Sequence, residues 1–366
     1  MLKLLGGLLL LSVLAVLGTL EARTAVAAPT AGELLASGLQ GSIGGAIGPD
    51  GALYVPEGAT GEITRIDPAT GAKSTFAGGL PPAPFGGAID VAFIGSTAYA
   101  LVTLVDVSGI YRMDDADSFT VIADLGAFSS SHLPPYPVDV PTGVQFALEP
   151  IDGGFLVSDG HHNRILQVTL GGEITELISF GNVVPTGLAV SGDTVYMTEI
   201  GAIPHVPADG KVISFELNAP RTENVASGVS MVVDVEFGPG GDLYALSQGD
   251  SPGEVAPASP AAPTSGKLLR VNNDGTFTVL VDALDLPTTL EFAGDTALIV
   301  TLNGEVWRIS DVTALQPGTG VTVSPPSAGD GGLADDRASS LTTLVVIAGV
   351  ALGATALAWR RRFARP

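Results

Sequence analysis

Four histidines and a handful of carboxylates are the residues of this chain that could do chemistry. His132, His161, His162 and His205 sit in polar loop segments, and Glu57, Asp90, Asp159, Glu199 and Asp234 sit at the borders of short apolar runs. If these oxygen and imidazole donors converge, they would hold a divalent cation such as Ca²⁺ or Zn²⁺. Each also has a structural reading. A carboxylate at a strand end readily accepts hydrogen bonds from loop N–H groups, and His161-His162 equally reads as a polar turn. Cysteine is absent, which excludes disulfides, thiolate metal sites and a Cys nucleophile. The sequence carries no G-x-S-x-G elbow, P-loop, HExxH or dinucleotide fingerprint. Asp114, Asp115 and Asp117 lack the spacing and the Gly of an EF-hand loop and read as a solvated hairpin.

The elements that would position these residues form a repeat. Between Pro141 and Ile178 the chain reads as four short strands: Gly143 to Leu148, Phe155 to Ser158, Ile165 to Thr169 and Ile174 to Ile178. Turns rich in Gly, Asp and Asn separate the strands. The second strand recurs as ALYVPE, TAYALV, GFLVSD, TVYMTE, DLYALS and TALIVT, ending at Glu57, Val102, Asp159, Glu199, Ser247 and Thr301. Units of about 40 to 57 residues with four strands each are the signature of a β-propeller. The fold class is therefore all-β, a six-bladed propeller with blades at about 44–80, 89–126, 142–180, 185–228, 232–284 and 287–310. The sixth copy lacks a fourth strand. Residues 33–39 resemble one and are expected to pair onto blade six, closing the ring and removing its exposed edges.

Antiparallel order places the two-to-three and four-to-one connections on one rim. These are the long ones, including Ala127 to Thr142, Gly201 to Asp209 and Gln248 to Ser265, and all four histidines map there. Long loops on a rigid scaffold are where binding and catalysis concentrate. The opposite face has brief turns. Arg65, Arg112, Arg270 and Arg308 recur in third strands, where contacts to neighbouring blades are expected.

The formal charge is −22, and one acid and six bases lie outside Pro29–Trp359, leaving 37 acids against 10 bases in the body of the chain. Such a surface repels phosphate and excludes nucleic acid as a partner. Residues 1–27 have the charged, apolar and small-residue layout of a signal peptide. After a Pro-, Gly- and Ser-rich linker, 312–340, comes the uncharged run 341–359, then the basic tail 360–366. The run is long enough for a transmembrane helix, and the arginines place the tail in the cytoplasm. The domain, 28–311, is therefore expected outside the cell, on a single-pass anchor. The Pro325-to-Gly329 stretch before the run also resembles the tail of proteins linked to the cell wall, with Ala328 where such tails carry Thr.

The run Val183 to Phe215, with Gly48 to Glu57 and Phe155 to Val168, resembles the ScyD/ScyE family of exported propellers, over about Gly32 to Asp311. A more distant similarity links it to NHL-type and SMP-30/gluconolactonase-like propellers. The resemblance implies a six-bladed fold and an extracytoplasmic place, without a defined activity. Two functions are compatible with the residues. The preferred one is a membrane-anchored scaffold that binds a protein, glycan or small molecule on its loop-rich rim. The alternative is a metal-dependent, lactonase-like hydrolase or a lyase, with Glu57, Asp90, Asp159, Glu199 or Asp234 as ligands.

Overall fold

The structure, a computed structural model, describes residues 32–202, 209–252, 259–315 and 322–323. The expected signal peptide, the run 341–359, the basic tail and His205 lie outside the described residues. Among those described, no helix is long and apolar enough to cross a membrane.

Six antiparallel sheets form the ring. Their innermost strands are Ala46–Ile47, Gly87–Ile94, Gln145–Ile151, Pro185–Ser191, Val232–Phe237 and Pro287–Ala293. The second strands are buried along almost their whole length, as in Gly154–Asp159, because each blade is covered on both faces by its neighbours. The outermost strands alternate and face water, as in Ser118–Asp124. Six apolar layers lie between successive blades. Leu101, Ile110, Phe155 and Leu166 fill the layer between blades two and three, for example, and Leu53, Val55, Leu298 and Val306 fill the one that joins six to one. No blade has a core of its own, so the ring must close to bury any of them.

Closure comes from the N-terminal strand Glu33–Ser37, which pairs antiparallel with Glu305–Ile309. Arg308 secures the seam, with Nη2 donating to Glu33 Oε2 at 2.6 Å and Nη1 to the Ala69 carbonyl of blade one at 2.8 Å. The chain then turns at Leu39, whose N–H donates to the Gly304 carbonyl at 3.1 Å. Gly304 has φ +76°, and a Cβ there would collide with the Leu39 carbonyl. Gly304→Ala is thus expected to strain the seam and cost about 1–3 kcal/mol, read as a lower midpoint of thermal unfolding. An unchanged midpoint would show that the seam carries little of the ring's stability.

Two segments differ from the expectation. The loop entering blade three contains a helix, α1, Leu125–Ser131, capped by the Asp124 carboxylate accepting from Ala127 N at 2.8 Å. Seven residues are too few for apolar periodicity to reveal a helix. Within the expected linker, Thr322–Val323 adds a fifth strand to blade five, Val323 opposite Phe277. That pairing is at the end of the outer strand next to the Asn272–Thr276 turn, on the short-turn face.

Candidate functional site: an acidic axial pocket

The six innermost strands enclose a cavity of about 260 Å³ on the ring axis. Its lining contains five carboxyls, Asp90, Glu149, Asp234, Glu236 and Glu291, and no Lys or Arg. The strand register sorts them into two tiers. Asp90 and Asp234 lie opposite Leu101 and Leu246, the fifth residues of their blades' second strands on the repeat alignment. Glu149, Glu236 and Glu291 lie opposite Leu156, Tyr244 and Leu298, at matching positions nearer the short-turn face.

The upper tier shows an internal twofold that relates blades one to three with blades four to six. Asp90 of blade two accepts from its neighbour Val91 N at 2.9 Å and from Leu148 N of blade three at 2.8 Å. Asp234 of blade five accepts from Val235 N at 2.9 Å and from Leu290 N of blade six at 2.7 Å. On the other side of each aspartate the preceding blade supplies a glycine, Gly44 or Gly187, where a Cβ would run into the carboxylate. Each aspartate thereby staples two blades, and each needs a glycine to make room. This is a structural use of residues that the sequence also presented as ligands.

Enclosure raises all five pKa values, and repulsion between the carboxyls adds to it at Asp90, Glu149, Glu236 and Glu291. Burial pushes Asp90 up to about 8 and Asp234 up to about 7, despite the N–H groups that favour their charged forms. Glu236 is pushed up to about 8 by burial and by the Asp234 charge. Burial raises Glu149 and Glu291 well above the ordinary range, with repulsion from Glu236, Asp90 and Asp234 adding to it. Water reaches the three glutamates through the pocket, whereas surrounding protein encloses them on every other side. At neutral pH this floor therefore retains protons that five free carboxyls would have lost.

Above the carboxyls is an apolar collar. Val184, Ile200, Met231, Ala261 and Leu286 form a buried cluster with Phe146, Val233 and Leu302 packed against it. Phe146, Ile200, Met231, Val233 and Leu302 also line the cavity. The collar residues lie at the starts of first strands or the ends of second strands, with Ala261 in the long loop after Leu243–Ser247, so the pocket mouth is on the loop-rich rim.

The other residues singled out from the sequence lie off this axis. Glu57 accepts from Gln40 N at 2.7 Å and from the Thr64 hydroxyl, fixing the turn after the closing strand. Glu199 is buried opposite Lys211, and burial pushes it up to about 7. Asp159 is fully buried in a network with Arg164, whose Nε donates to Oδ2 at 3.1 Å; its Oδ1 has no partner. His132 caps the end of α1, stacks on Phe128 and lends its carbonyl to Arg164 at 2.8 Å. His161 and His162 grip one loop residue from both sides. Val140 N donates to His161 Nε2 at 3.2 Å, and His162 Nε2 lies 3.2 Å from the Val140 carbonyl. His162 Nδ1 lies 3.1 Å from the Arg164 guanidinium and 3.3 Å from Asp159 Oδ2, which ties the pair into the buried Arg164 network. The pair is a polar clamp on the rim loop. Among the described residues no group of three or more His, Asp or Glu is arranged to hold a metal ion, and Asp90 and Asp234 already direct both oxygens to backbone N–H groups. The five candidate ligands do not come together as one cation site.

No protein-family model matches this sequence, and no curated protein matches it. Solved structures do. An aldose sugar dehydrogenase from Streptomyces coelicolor, solved in its PQQ-bound form, matches with a TM-score of 0.52 at 16% identity, over 77% of this chain and 97% of that one. A gluconolactonase from Xanthomonas campestris matches with a TM-score of 0.53 at 12% identity, over 75% of this chain and 87% of that one. At such identities the likeness is one of fold, and the chain is a six-bladed β-propeller with structural neighbours among sugar dehydrogenases and gluconolactonases.

Proposed function

We propose that this protein is an exported, membrane-anchored binding propeller whose ligand is a small molecule seated in the axial pocket. Residues 1–27 and 341–359 support export and anchoring by their composition, and the run Val183 to Phe215 supports a place near the ScyD/ScyE propellers. The observation that carries the binding reading is the pocket itself, a partly open cavity with an apolar collar and a few polar groups converging beneath it. That is the usual anatomy of a small-molecule site.

The pocket can be plugged without touching its carboxyls. Ala46 lines the cavity on the innermost strand of blade one, at the register position that holds glutamate in blades three, five and six. Ala46→Trp is expected to fill the cavity while leaving the thermal midpoint close to wild type. Fragments that bind the wild-type protein in ligand-observed NMR should lose their signal with this variant. Fragment binding indifferent to the plug would move the ligand site elsewhere on the rim. Turnover of a lactone that the plug abolishes would make the pocket catalytic and favour the hydrolase reading.

A further inference from the structure

Resting on the reading of the axial pocket as the ligand site, we infer that its ligand is an organic ammonium ion with a compact apolar body. The charge would sit among Glu149, Glu236 and Glu291, and the body inside the collar of Phe146, Ile200 and Met231. The argument starts from unused acceptor capacity. Asp90 and Asp234 already give both oxygens to backbone N–H groups. What remains for a guest is on the three glutamates, which reach the cavity from equivalent positions in three blades. Of these, the Glu291 carboxyl, open to the pocket, has no hydrogen-bond partner among the described residues. A cationic donor from the guest would replace pocket water at this acceptor with a shorter, charge-assisted hydrogen bond.

The pocket chooses between classes of guest by charge and by shape. No Lys or Arg lines it, so a carboxylate or phosphate would find no counter-charge and would be repelled by every carboxyl of the floor that ionises. A free hydrated metal ion would leave the apolar collar wet and finds no grouped ligands. A polyol could bond to the floor, but it would set hydroxyls against Phe146, Ile200 and Met231, at a cost for each left unpaired. An ammonium group brings up to three N–H donors and the charge the floor lacks, and an attached hydrocarbon matches the collar. The cavity, about 260 Å³, limits that hydrocarbon to roughly a ring or a short branched chain. The groups facing the bound charge are Asp90, Glu149, Asp234, Glu236 and Glu291, all acidic. Binding therefore displaces protons that the floor retains at neutral pH, and affinity rises with pH while the amine stays protonated.

Calorimetric titration of the purified full-length protein with benzylamine, benzyl alcohol and benzoate separates head group from body. Benzylamine is expected to bind about tenfold or more tightly than benzyl alcohol, as one or two charge-assisted hydrogen bonds would give. Benzoate should not bind. The benzylamine affinity should increase between about pH 6 and about pH 8, and Glu291→Gln should weaken it about tenfold without lowering the thermal midpoint. Glu236→Gln serves as a second variant with the same expectation. Equal affinity for amine and alcohol, or no response to either glutamine variant, would overturn the ammonium inference while leaving the pocket as the ligand site. Failure of benzylamine to bind would overturn it too. If fragment binding were also insensitive to Ala46→Trp, the pocket reading would fall with it.

Discussion

Replacement of Arg164 by alanine is expected to destabilise the propeller by about 3–5 kcal/mol, more than any substitution on its surface. Arg164 is 1% exposed, at the start of the third strand of blade three. Its guanidinium donates to Asp159 Oδ2, to Ser129 Oγ at 2.9 Å, to the His132 carbonyl and to Glu176 Oε2 at 3.1 Å, and it lies 5.6 Å from the Phe128 ring centroid. One side chain thus holds α1, the rim loop and blade three together. Its loss would leave the Asp159 carboxylate enclosed without a counter-charge, and that uncompensated charge is the larger part of the cost. A double variant, Asp159→Asn with Arg164→Met, is therefore expected to recover a substantial part of the stability lost by Arg164→Ala. Chemical denaturation of the two variants against wild type checks both statements. Additive losses in the double variant would show that packing, and not the stranded charge, dominates.

Stability is expected to fall as pH rises from about 4.5 to about 8, the reverse of what acid-labile salt bridges produce. The carboxyls of the pocket have folded pKa values above their unfolded ones: about 8 for Asp90 and Glu236, about 7 for Asp234, and higher still than the ordinary range for Glu149 and Glu291. In this window the folded state holds more protons than the unfolded one. Their contribution is fully present below the unfolded pKa and is lost as pH climbs through the folded values. A tenfold difference in proton affinity corresponds to about 1.4 kcal/mol, so a cluster of this size changes stability by several kcal/mol across the window. Asp50, Asp67, Asp114 and Asp274 have lowered pKa values and act in the opposite sense as pH falls below about 4, but they are exposed and screened. Glu236→Gln with Glu291→Gln is expected to flatten the pH profile. The double variant should be more stable than wild type at pH 8 by about 1–3 kcal/mol and equal to it near pH 4. A wild-type profile that rises from pH 5 to pH 8 would contradict the arrangement.

The arginines in third strands show how far local sequence reaches. Arg308 does cross to blade one, as its place in the repeat led one to expect. Arg65 and Arg112 instead pair within their own blades, with Asp50 and Asp114. Whether a strand-three arginine turns to its neighbour depends on which loop stands across the gap, and that is a matter of how blades are juxtaposed. The pocket shows the same boundary. Asp90 and Asp234 stood out because they open an apolar strand. Glu149, Glu236 and Glu291 passed unnoticed, although each is a lone glutamate inside an apolar innermost strand, in FALEP, DVEFG and TLEFA. Only the channel could receive such a side chain, and that was the available signal.

By itself the sequence determined the six-bladed repeat, the closing strand, the short-turn and long-loop faces and the acidity of the chain. These follow from period-two apolar patterning, turn residues and counts, all properties of neighbours along the backbone. Six blades in a ring already set blade two across the channel from blade five, and so Asp90 across from Asp234; the tertiary structure alone decided that Glu149, Glu236 and Glu291 join them. Asp90 and Leu148 are separated by 58 residues, and the five acids of the pocket come from four different blades. Their burial, their shared protons and the apolar collar above them exist only once the ring has closed.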